Sequence, residues 1–117
     1  MSHKELSKKI KTAKKIVSEG DVRVLNRAAM IADALELGYL FENEFSEILS
    51  DLLNNTEPEH YTGTKPPQKS YETDILGLEI FAFRVKSSIL DPVIYYKFCI
   101  KNNCCYIISL HEDRGTE

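Results

Sequence analysis

The sequence has no apolar run approaching the ~20 residues that a membrane-spanning helix needs, so no membrane span is expected. No charged leader precedes an apolar stretch, so no secretory signal is expected. There is no internal repeat and no low-complexity tract. Cysteine is scarce: three residues, Cys99, Cys104 and Cys105, all near the C-terminus. The number is odd, two of them are adjacent, and no CxxC spacing occurs. That pattern argues against a disulfide framework and against a zinc site, and fits buried free thiols in a reducing cytosol. A basic excess is also lacking. Fifteen Lys and Arg face eighteen Asp and Glu, for a formal net charge of −3. That balance argues against a generic nucleic-acid coat protein.

What is present is ordinary globular composition: 117 residues, 43% hydrophobic and 28% charged. The length suits one domain, 1–117, with enough surface burial for one core. The charge is unevenly spread. Residues 1–20 hold six lysines and two glutamates, residues 28–59 hold eight acids and no Lys or Arg, and residues 61–117 are balanced. The lysine face of the first segment is either a solvated face or a track for phosphates. The acidic middle is either a solubilising surface or a contact for a partner.

Periodicity divides the chain into an α part and a β part. Leu6, Ile10, Ala13 and Val17 recur at helical spacing, and Gly20 supplies a stop. Val22–Leu25 reads as a short edge strand. Asn26 can cap a second helix to about Leu37, with Ala28, Ile31, Ala34 and Leu35 inward and Gly38 ending it. Asn43 can cap a third, with Phe45, Ile48, Leu49, Leu52 and Leu53 as its apolar stripe. Residues 56–74 form a long polar connection, and loops of that length are usually functional or mobile. Leu78–Val85, Val93–Ile100 and Cys104–His111 then read as strands, with a frayed tail from Glu112 to Glu117. The expected class is α+β, with the helices on one face of a small antiparallel sheet.

The last two strands permit a register argument. A two-residue Asn102-Asn103 loop would place Tyr95, Lys97, Cys99, Tyr106, Ile108 and Leu110 on one face, and neither face would be clean. A three-residue loop pairs Ile100 with Cys104. One face is then wholly apolar: Ile94, Tyr96, Phe98, Ile100, Cys104, Tyr106, Ile108 and Leu110. A one-residue slip flips every side chain, so the register that segregates polarity is expected. It sets Tyr95 opposite Ser109, with Lys97 and His111 nearby and Arg84 joining from the preceding strand. Two readings of this second face stand open: an ordinary half-solvated sheet face, or a general acid–base and phosphate-binding site.

These residues also carry a family likeness. Lys14-Lys15-Ile16-Val17, Gly20-Asp21-Val22-Arg23, Leu37-Gly38, His60-Tyr61, Lys69-Ser70, Phe83-Arg84, Ile94-Tyr95-Tyr96-Lys97 and Ile108-Ser109-Leu110-His111 follow one another in a familiar order. The chain thereby resembles the MqsR family of bacterial toxins, over about residues 10–113. The resemblance implies a RelE-like fold and a cytoplasmic toxin of a type II toxin–antitoxin system. It implies a metal-independent mRNA interferase with no cofactor. The implied partners are mRNA, free or on the ribosome, and a cognate antitoxin. Carried over by position, it implies Lys69, Arg84, Tyr95 and His111 as catalytic residues, with Lys65, Lys97 and Tyr61 contacting RNA. The family's loop glutamine has no counterpart, which keeps a second reading: a non-catalytic RelE-like module that binds protein or RNA.

Overall fold

The computed structural model describes residues 2–114. Helix α1, His3–Ser18, begins at a reciprocal cap in which Ser2 accepts from the Glu5 amide and Glu5 accepts from the Ser2 amide. It buries Leu6, Ile10, Ala13, Ile16 and Val17, the stripe that its spacing predicts. Gly20, at φ 82°, turns the chain into strand β1, Val22–Val24.

Asn26 caps helix α2, Arg27–Leu37, by accepting from the Ala29 amide at 3.1 Å, and Gly38 closes it at φ 89°. The buried face differs from the expected one. Met30 and Ala34 point inward, Ala28 is exposed and Leu35 is 65% exposed. This helix is apolar nearly all round, so several stripes were available, and the short link from β1 sets the phase. Helix α3, Phe41–Asn54, starts three residues earlier than an Asn43 cap would allow. The Glu44 carboxylate accepts from the Leu40 amide at 3.1 Å and so serves the first turn from inside the helix. Its stripe of Phe45, Ile48, Leu49, Leu52 and Leu53 is buried as expected.

Residues 87–92, linking β2, Phe81–Lys86, to β3, Val93–Lys101, are tied to α3 by one carboxylate. Asp51 accepts from the Ser87 hydroxyl at 2.8 Å, the Ser88 amide at 2.9 Å and the Asn55 side-chain amide at 3.2 Å. Strand β4 is Cys104–Glu112. The sheet order is β1-β4-β3-β2, with β1 parallel to β4 and the other pairs antiparallel. The sheet is therefore mixed, not antiparallel throughout. Two helices separate β1 from the rest, and connections of that kind allow a parallel return. The architecture is three helices packed with a four-stranded mixed sheet. Their buried residues form one cluster with Phe81, Phe83, Tyr96, Phe98, Ile107 and Leu110 of the sheet.

The β3–β4 connection is a two-residue turn, not a three-residue loop. Asn102 and Asn103 both have positive φ, 50° and 58°, and Lys101 pairs with Cys104. This is the turn geometry whose twist suits a tight hairpin. Polarity is segregated by another device. A bulge between Lys97 and Phe98 takes the pairing from Phe98–Ile107 to Lys97–Ser109, leaving Ile108 over. Inward residues are Cys105 and Ile107 before the bulge and Leu110 after it.

The polar connection runs along the outer edge of β2. Tyr61 bridges to Phe83 and Lys69 to Glu79, while the Thr62 amide donates to the Ala82 carbonyl at 2.9 Å. The Ile80 amide donates to the Gln68 carbonyl at 2.8 Å. A free sheet edge is thus capped by loop backbone. Strand β2 starts at Phe81 and not Leu78, where its pairing with β3 begins. At the other end β4 runs through Glu112, and the Asp113 amide donates to the Val93 carbonyl at 2.8 Å, so the expected fraying does not begin there. Residues 115–117 of that tail lie outside the described residues.

One buried hydrogen-bond chain offers a test of the core. Thr56 Oγ1 donates its single proton to the Leu52 carbonyl at 2.6 Å, so the buried Tyr96 phenol is the donor in the 2.7 Å contact between them. Thr56→Val strands a buried phenolic proton and is expected to cost about 1–3 kcal/mol. Tyr96→Phe removes only one incoming bond and should cost about 1 kcal/mol. Urea unfolding of the two variants checks the order.

Candidate functional site

Residues paired across a ladder share a face, so the register defines the face turned away from the helices. Arg84 pairs with Tyr95, and Tyr95 with His111, giving one row across β2, β3 and β4. Ala82, Lys97 and Ser109 form the next row. The expected partner of Tyr95 was Ser109, two positions away. A shift of two residues preserves the face, so Tyr95, Lys97, Ser109 and His111 do lie together, with His111 directly opposite Tyr95.

The Tyr95 and His111 rings stack at 5.4 Å between centroids, 30° from parallel. His111 Nδ1 lies 2.8 Å from the Glu112 carbonyl. A carbonyl only accepts, so this contact selects the Nδ1–H tautomer, in which Nε2 is the acceptor. Arg84 is held differently from the expectation. Its Nε donates to Asp113 Oδ1 at 3.0 Å, and both side chains are part-buried. Its charge is therefore largely compensated, while its position in the row is fixed.

Tyr95 and Lys97 also line an open cleft of about 170 Å³, walled by Thr62, Thr64 and Gln68 of the long loop and floored by Ile80 and Ala82. Gln68 and the two threonines were not singled out from the sequence; only the loop's unusual length pointed to them. The Ser109 hydroxyl, buried and without a hydrogen-bond partner among the described residues, belongs to the row of Lys97.

Other expected residues are placed elsewhere. Lys69 lines a separate depression of about 230 Å³ with Lys9, Glu79, Phe81 and Ile100, on the helix side of the sheet edge. The bridge to Glu79 gives it the phase opposite to Gln68, and strand-like alternation sends the two neighbours to different sides. Tyr61 is a strut. Its ring packs edge-on against Phe83 at 5.7 Å and its hydroxyl donates to the Thr64 carbonyl. Partial burial pushes its phenol above the ordinary value. Gly63 is required beneath it, because a Cβ there would fall 2.5 Å from the Tyr61 hydroxyl. Lys65 is exposed at the loop crest. The structure thus brings Arg84, Tyr95, Lys97 and His111 together, and leaves Lys69, Lys65 and Tyr61 out of that group.

Among the described residues no three His, Cys, Asp or Glu side chains gather as metal ligands do. No described helix is long and apolar enough to cross a membrane. No protein-family model, no curated protein and no solved structure matches the chain.

The cysteines are unpaired, and two of them are shielded. Burial pushes the Cys99 thiol up to about 11 and the Cys105 thiol up to about 12. A raised value keeps the thiol protonated and unreactive at pH 8. Cys104 is half-exposed. A disulfide reagent at pH 8 is expected to titrate one thiol in the native protein and all three after unfolding, as counted by absorbance.

Proposed function

We propose that the face bearing Arg84, Tyr95, Lys97 and His111 binds RNA and cleaves it without a metal, using the 2′-hydroxyl as nucleophile. The observation that carries this reading is the His111 ring, stacked on Tyr95 with Nε2 left as an acceptor, beside the cationic Lys97 cleft. In the proposed reaction Nε2 takes the 2′-hydroxyl proton, and the 2′-oxygen forms a bond to phosphorus as the bond to the 5′-oxygen breaks. The Tyr95 phenol gives its proton to that leaving oxygen and regains one from solvent. Lys97 holds the charge on the non-bridging oxygens, and Arg84, its own charge largely offset by Asp113, lies beside Tyr95 in the same row. The products are a 2′,3′-cyclic phosphate and a free 5′-hydroxyl. Lys69 takes no part in these steps, because it lies in another depression.

In the same reading the fold is RelE-like and the chain is a cytoplasmic toxin of the MqsR type, neutralised by an antitoxin. The ordered likeness over residues 10–113 supports this. A second reading has its own observation. The Arg84–Asp113 pair and the separation of Lys69 remove two expected phosphate-binding charges, as a module that binds RNA without cutting it would allow.

Inducible expression in a bacterial host, with RNA ends mapped, separates the two. The wild type is expected to arrest growth and make discrete cuts. His111→Ala should lower cleavage at least ~100-fold, the typical worth of positioned proton transfer. Its circular dichroism should match the wild type. A folded His111→Ala protein that still arrests growth would sink the assignment.

A further inference from the structure

A second cleft opens on the same sheet face, at the end near the β3–β4 turn. It measures about 430 Å³ and is lined by Arg23, Val24, Leu25, Asp74, Lys101 and Tyr106. Arg23 pairs with Tyr106, and Tyr106 with Cys99, so these side chains share the face of Tyr95 and His111. The half-exposed Tyr106 ring forms the floor and Leu25 gives an apolar wall, while the Val24 side chain turns to the core. Exposed Arg23 makes no ion pair among the described residues. The Lys101 ammonium is already committed to the Asp74 carbonyl at 2.7 Å. Asp74 is the carboxylate of this cleft, so an anion is directed to the Arg23 side.

An aromatic floor, an apolar wall and an unpaired guanidinium are what a stacked base and its phosphate need. The cleft lies at the Cys99 level of β3 and the Tyr95–His111 stack four residues further on, a distance of about 13 Å at strand rise. That is more than one nucleotide covers. Ile108, left over at the bulge, and Ser109, which the bulge turns off the core, lie between them on β4 and are part-exposed. We propose that this cleft is a second RNA subsite, with Tyr106 stacking a base and Arg23 holding its phosphate, so that the substrate is a single-stranded oligonucleotide. The inference rests on the proposed function for its direction along the face, but its binding test does not require cleavage.

The probe is a fluorescent 2′-O-methyl RNA of ~8 nucleotides, which spans both sites and has no free 2′-hydroxyl to react. Binding to the full chain is read by anisotropy across a salt series, and cleavage is read separately on an unmodified dinucleotide. Arg23→Gln is expected to weaken octamer binding ~5- to 10-fold and to flatten the salt dependence by about 0.7 in log–log slope, one phosphate's worth. Tyr106→Leu should weaken binding without changing the slope. Neither should alter dinucleotide cleavage.

Wild-type affinity and slope in Arg23→Gln would overturn the subsite. So would a wild-type protein that binds the octamer no better than a dinucleotide, or one that prefers an acidic peptide to the octamer. Octamer binding that depends on Arg23, with no cleavage of any RNA, would keep the subsite and overturn the catalytic reading instead.

Discussion

The bulge in β4 is the constraint on which both faces of the sheet depend. The tight Asn102-Asn103 turn fixes Lys101 opposite Cys104, and β3 keeps Ile94, Tyr96, Phe98 and Ile100 on the core side. Uninterrupted pairing from that turn would send Leu110 outward and turn His111 toward the core. One additional residue on β4 reverses the phase after Ile107. Leu110 then returns to the core and His111 comes out opposite Tyr95. Burying a leucine is worth about 1.5–3 kcal/mol, more than one lost ladder bond at about 1 kcal/mol, so the bulge is the cheaper arrangement. The stacking of Tyr95 on His111 is its by-product at the surface.

The long connection has a comparable double effect. Its backbone bonds to Ala82 and Ile80 close the free edge of β2, which would otherwise offer unpaired amides and carbonyls. Once seated there, its Thr62, Thr64 and Gln68 side chains stand as the wall of the Tyr95–Lys97 cleft. The Tyr61 strut and Gly63 set how closely the wall approaches. Edge protection and cleft formation are one structural event. This explains why a polar stretch with two short 3₁₀ turns and no regular element is held in place beside the sheet.

What the sequence made legible follows from which signals are local. The stripes of α1 and α3, the Asn26 cap and the Gly38 stop depend on neighbours within one or two turns, and all were readable. The phase of α2 was not, because Met30, Ile31, Ala34 and Leu35 offer competing stripes and only the tertiary link chooses. The hairpin register was half readable. Polarity demanded one phase near His111 and turn chemistry demanded another near Asn102, and a uniform register could honour only one of them. The bulge honours both, but its position is decided by inter-strand packing. Lys69 stands apart from the Tyr95–His111 group for a related reason: the likeness to a family assigns a residue to an order along the chain, whereas the Lys69–Glu79 bridge decides the side of the sheet.

The charge distribution can be judged on the same geometric terms. The negative excess lies in residues 28–59, where Glu36, Glu42 and Glu47 are exposed on α2 and α3, on the covered side of the sheet. Helices pack about 10 Å from what they cover, and exposed charges further apart than about 8 Å are largely screened at physiological salt. The net charge of −3 therefore says little about the field over Tyr95 and His111. Local charges decide there, and Arg84 is largely offset by Asp113. Lys97 at one cleft and Arg23 at the other remain as the cations with most to offer a phosphate. Two phosphates held in this way imply a log–log salt slope of only about −1.4 for a single strand. An RNA ligand on this face would be selected by the shape and stacking of its bases more than by the pull of its backbone.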